Sequence, residues 1–112
     1  MKMEQTSILL ENVDFEKLLS EFQGFFKPTF RISTSKNTIY VSIVEELHTL
    51  PFSNLTITVV FERLPEYNVK IHVIVSGGGT GIFQLSYGAE RKALKKFNKF
   101  FNNYLSQNQV LL

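Results

Sequence analysis

The chain has 112 residues, 12 Lys and Arg against 10 Asp and Glu, a net charge of +2, no Cys and no Trp. That composition excludes disulfides, thiolate metal sites and a cysteine nucleophile, and it suffices for one domain, residues 1–112, with a core that needs no staple. Acidic residues interrupt the N-terminus before any run of signal-peptide length, and no stretch approaches the roughly 18 apolar residues of a membrane span. The expected location is cytoplasmic, with no membrane contact. The charge is unevenly placed: residues 1–50 carry five cations against seven anions, and residues 51–112 carry seven against three.

In chain order, Thr6 to Leu10 reads as a short edge strand. Asn12 or Asp14 then caps a helix over about Val13 to Phe26, where Phe15, Leu18, Leu19, Phe22 and Phe26 form one stripe. Pro28 ends it. The period changes from 3.6 to 2 beyond this point. Phe30 and Ile32 alternate with Arg31 and Ser33, and Lys36-Asn37 makes a turn. Ile39, Val41 and Ile43 then alternate with Tyr40, Ser42 and Val44.

A loop around Pro51 to Asn54 precedes the next strand, in which Leu55, Ile57, Val59 and Phe61 alternate with Thr56, Thr58, Val60 and Glu62. A turn at Pro65 to Asn68 leads to Val69, Ile71, Val73 and Val75, alternating with Lys70, His72, Ile74 and Ser76. Ile82 to Tyr87 reads as one more strand. From Ala89 a long helix sets Ala93, Leu94, Phe97, Phe100, Phe101, Tyr104 and Leu105 on one arc, with Arg91, Lys92, Lys95, Lys96 and Lys99 opposite.

The expected fold is α+β: a single antiparallel sheet of five or six strands, with an N-terminal helix and a long C-terminal helix packed on one face. Ile39, Val41, Ile57, Val59, Ile71 and Val73 are expected to face those helices.

The segment SGGGTG (Ser76, Gly77, Gly78, Gly79, Thr80, Gly81) raises the question of a phosphate cradle. Its spacing fits neither the P-loop nor the dinucleotide fingerprint, and a predicted strand separates it from the next helix. It reads as a hairpin turn, with a flap over a ligand as the alternative. Ser76, Gly77, Gly78, Gly79, Phe83, Gly88 and Glu90 together resemble a segment of a small prokaryotic protein family of unknown function, S-G-G-G, then Phe, then G-x-E opening the last helix. The resemblance covers about fifteen residues, implies a small α+β domain and brings no activity. Strands wrapped around a long last helix also look like the helix-grip arrangement of lipid-binding domains.

Catalytic chemistry is sparse in this sequence. Asp14 is accounted for as a helix cap. Glu45, Glu46 and His48 fall in a predicted loop, where a solvated loop explains them better than a metal site does. His72 would need a positioned partner to act as a base, and none is spaced for it. No cofactor is implied. The expected function is a non-enzymatic binding or assembly module, a homodimer through the outer sheet face, with Tyr40, Val60, His72, Ile74 and Gln84 as the partner face. The alternatives are a helix-grip-like carrier of a small apolar ligand and a weak nucleic-acid binder using Arg91, Lys92, Lys95, Lys96 and Lys99. The low net charge argues against nucleic acid.

Overall fold

A computed structural model of the chain describes residues 2–34, 36, 38–49, 52–77 and 89–108. The first strand, β1 (Lys2–Leu10), begins four residues earlier than its apolar run suggests, and Leu10 at its end is fully buried. Helix α1 (Phe15–Phe26) follows. Of its two candidate caps the structure uses Asp14, whose carboxylate accepts the Lys17 N–H at 3.3 Å. Asn12, with φ of 57°, makes the preceding turn instead. Lys27 closes the helix in the left-handed region, and its N–H returns to the Gln23 carbonyl. Pro28 then prevents continuation.

Four strands follow: β2 (Phe30–Ser33), β3 (Ile39–Thr49), β4 (Phe52–Leu64) and β5 (Asn68–Gly77). With β1 they form one antiparallel sheet in the order β1-β5-β4-β3-β2. β1 and β2, joined through α1, therefore lie on opposite edges. The long β3–β4 hairpin reaches Thr49 and Phe52, so the expected loop there is much shorter. His48 consequently lies in a strand and not in a loop. The sixth strand predicted over 82–87 falls outside the described residues.

Helix α2 (Ala89–Asn108) crosses β1 and β5 and touches β4. Its Ala93, Phe97, Phe101 and Tyr104 are buried, a nearly pure i, i+4 stripe. They meet Phe22 of α1 and the inward residues Leu55, Ile57, Val59 and Phe61 of β4 and Val69, Ile71, Val73 and Val75 of β5. Aromatic rings fill the space between layers. Phe22 lies 5.1 Å from Phe61 and 5.8 Å from Phe101, and Phe26 stacks on Phe97 at 4.0 Å.

The α+β class and the single antiparallel sheet are as the sequence indicates. Two strands are the reverse of expectation: β3 and, paired with it, β2, whose Arg31 and Ser33 sit opposite Ser42 and Tyr40 on the helix side. Tyr40 pairs with Phe61, Ser42 with Val59 and Val44 with Ile57, so these three face the helices. Ile39 and Val41 do not; they share the outer face with Ile43. The pairing register decides this, because successive strand residues point to opposite faces and cross-strand partners share one. Once Phe61 and Val59 are in the core, so are Tyr40 and Ser42.

Candidate functional site

The outer face of the sheet is built from two complete cross-strand rows. One runs Ile32, Val41, Val60, His72, Ser7; the other runs Phe30, Ile43, Thr58, Ile74, Gln5. Residues in such rows lie close enough for side chains to touch across strands. The face thus has two halves. Over β2 and β3 it is largely apolar, with Phe30 54% exposed and Ile32 57% exposed, and Val60 carries that surface onto β4 between Thr58 and Glu62. Over β5 and β1 it is polar, and Ile74 marks the boundary.

His72 is the centre of the polar half. Its Nδ1 lies 2.8 Å from Ser7 Oγ in β1, and its Nε2 lies 2.9 Å from Glu62 Oε1 in β4. A carboxylate can only accept, so Nε2–H donates to Glu62, and in the neutral imidazole Ser7 Oγ–H donates to Nδ1. The imidazole is held between two strands with its tautomer set. The partner that sequence spacing does not supply therefore exists twice over: Ser7 is the direct cross-strand neighbour of His72, and Glu62 is diagonal to it. Neither is visible without the register, because Ser7 is 65 residues away and Glu62 is 10.

A hydroxyl, an imidazole and a carboxylate in line invite comparison with a hydrolytic triad. The surroundings do not support one. An oxyanion needs N–H donors converging above the nucleophile, whereas strand N–H groups lie in the plane of the sheet and point at neighbouring strands. What the chain of three does supply is orientation: it fixes three polar side chains on a flat surface at defined positions.

The other expected site residues separate. Val60, His72 and Ile74 lie on the outer face as anticipated. Tyr40 does not; it faces the helices, packs edge-on to Phe61 with ring centroids 5.9 Å apart, and its hydroxyl accepts a hydrogen bond from the Gln23 amide. Gln84 is outside the described residues. So are Gly78, Gly79 and Gly81. Ser76 and Gly77 belong to β5, where Ser76 Oγ donates to the Thr56 carbonyl at 3.4 Å. Gly77 has φ of 90°, which a side chain would strain, and it pairs with both Leu55 and Lys2.

The basic residues of α2 do not act as one stripe. Arg91 reaches back to Glu4 of β1 at 3.8 Å. Lys92 and Lys95 are exposed. Lys96 and Lys99 border a groove between α1 and α2, and the Lys96 ammonium lies 5.8 Å from the centre of the Phe26 ring. Among the described residues no set of three or more His, Asp or Glu could hold a metal ion, and no helix is long and apolar enough to cross a membrane.

No family model, curated protein or solved structure matches the chain.

Proposed function

We propose that the chain is a non-enzymatic assembly module, a cytoplasmic protein that forms a homodimer by pairing the outer faces of two sheets. One observation carries this reading: Phe30, Ile32, Val41, Ile43 and Val60 sit side by side on three adjacent strands with no element of the described chain over them. Contiguous apolar surface of this kind marks an interaction site. Single exposed apolar residues would carry no such meaning.

Size and charge favour a second copy as the occupant. With ~3.4 Å per residue and ~4.8 Å between strands, each outward residue occupies about 33 Å², so the five apolar residues cover about 165 Å² and the whole face, polar half included, about 600 Å² before side-chain relief. That approaches the roughly 800 Å² per partner of a stable complex. The charged groups that the register places on the face are Glu45, Glu62 and Lys70, of mixed sign and nearly balanced. A two-fold axis brings each surface against itself, so a strongly charged face would repel its copy and this one does not. The same balance disfavours nucleic acid. Two sheets stacked about 10 Å apart would bury the apolar halves as in a β-sandwich.

Sedimentation equilibrium tests the reading. The chain is expected to be a dimer at micromolar concentration. Val60→Glu, at the centre of the apolar row and partly exposed in the monomer, is expected to give a folded monomer. A wild-type monomer would overturn the proposal, as would a Val60→Glu dimer of unchanged affinity.

A further inference from the structure

The groove between α1 and α2 lies on the helix side of the molecule, away from the outer sheet face, and is independent of the dimer reading. It is lined by Gly24 and Phe25 of α1 and by Lys96, Lys99, Phe100 and Tyr104 of α2, with Glu21 and Asn103 at its margins. Its volume is about 830 Å³, within the roughly 300–1,000 Å³ of small-molecule sites. Phe25 of α1 and Phe100 of α2, with ring centroids 5.3 Å apart, meet across the two helices and give the groove an aromatic floor.

Three features of the groove describe its occupant. The first is Phe25, which is 64% exposed although its ring lies 5.3 Å from Phe100 and 4.8 Å from Phe26. The aromatic cluster of the core thus continues to the surface and ends there. The second is charge. Lys96 and Lys99 outweigh Glu21, and a tyrosine hydroxyl such as that of Tyr104 carries no charge at neutral pH. The third is Gly24, where an added Cβ would meet no atom within 4 Å. That glycine opens the groove and serves no close approach of the backbone.

We propose that this groove binds a small amphiphile with an anionic head and an apolar chain, the head between Lys96 and Lys99 and the chain over Phe25 and Phe100. Lysine heads can reach an anion at the rim while their methylene stems border the apolar floor. A neutral apolar molecule would use the floor and forgo the two ammonium groups. A second copy of the chain would bring the same excess of positive charge and be repelled.

Isothermal titration calorimetry with decanoate, with decanol as the uncharged control, tests the assignment below the concentration at which either aggregates. Decanoate is expected to saturate at one per chain and to bind about tenfold more tightly than decanol, a difference that two partly exposed charge contacts can supply. The double variant K96E/K99E should lose that margin and keep the decanol affinity. Gly24→Leu fills the groove from within a helix, replaces the residue with poor helix propensity, and should abolish binding of both without lowering the melting temperature. Failure of decanoate to bind would overturn the proposal. So would equal affinity for decanoate and decanol, or unchanged binding in Gly24→Leu.

Discussion

At the scale of single residues, two buried polar groups give opposite expectations. Ser42 is fully buried and its hydroxyl has no hydrogen-bond partner among the described residues. Such a group forfeits its hydration without recovering it, so Ser42→Ala is expected to stabilise the chain by about 1 kcal/mol, read as a higher denaturant midpoint at unchanged slope. Tyr104 is also buried, and desolvation first, then the charges of Glu21 and Asp14, push its pKa up from 10.0 to about 12. The sign follows from linkage. Between these values the folded state holds a proton that the unfolded state has released, so stability falls as pH rises through that window and is intact below it. The expected loss is about 1–2 kcal/mol after allowance for solvent screening, and Tyr104→Phe should remove that dependence between pH 10 and 12. Denaturant melts of both proteins across the window measure it.

Residues were also where sequence patterning was least informative. Apolar and polar positions alternate cleanly in β4 and β5, and their inward sets are read correctly from the period alone. In β3 both faces carry apolar residues, Ile39, Val41 and Ile43 on one and Tyr40 and Val44 on the other. Choosing the more apolar set as the core gives the wrong face, because a second apolar surface exists that the monomer's core does not use. Ile39 is 37% exposed as a result. The Ser7–His72–Glu62 chain was illegible for a related reason: it depends on which residues become cross-strand neighbours, which is a property of register and not of local spacing.

At the scale of elements, the β4–β5 turn contains the clearest local conflict. Glu66 and Tyr67 have φ of 65° and 63°. Successive left-handed residues are the requirement of a type I′ turn, where Asn-Gly is the favoured pair. Tyr67 is 73% exposed, so its ring contributes little packing, while its carbonyl accepts the Val13 N–H at 2.8 Å. The double variant Glu66→Asn with Tyr67→Gly keeps that backbone contact and removes strain from both positions. It is expected to stabilise by about 1 kcal/mol, since each substitution supplies a residue suited to the existing conformation. A lower melting temperature would mean that the Tyr67 ring contributes more packing than its exposure implies. The turn itself, the cap at Asp14 and the stop at Pro28 were all legible, because each rests on the chemistry of one or two adjacent residues.

At the scale of the molecule, the two helices and the sheet account for one side of the protein only. Helix α2 with Phe97 and Phe101, and α1 with Phe22, bury the inner apolar residues of β4 and β5. The short strand β2 extends the sheet beyond them, and all four of its residues are exposed. Two of these, Phe30 and Ile32, complete the apolar rows of the outer face. The strand that contributes least to the core therefore supplies two of the five apolar residues of the proposed interface. The oriented His72 beside it offers polar positions that a partner surface must match, which is how a flat face acquires register.

The central claim is that this outer face pairs with its own copy, and the most direct measurement is the solution mass of the wild-type chain beside that of Val60→Glu. The account predicts a wild-type dimer that dissociates on dilution, and a Val60→Glu protein that stays monomeric at the same concentrations with an unchanged circular dichroism spectrum. A wild-type chain that remains monomeric throughout the micromolar range would contradict it.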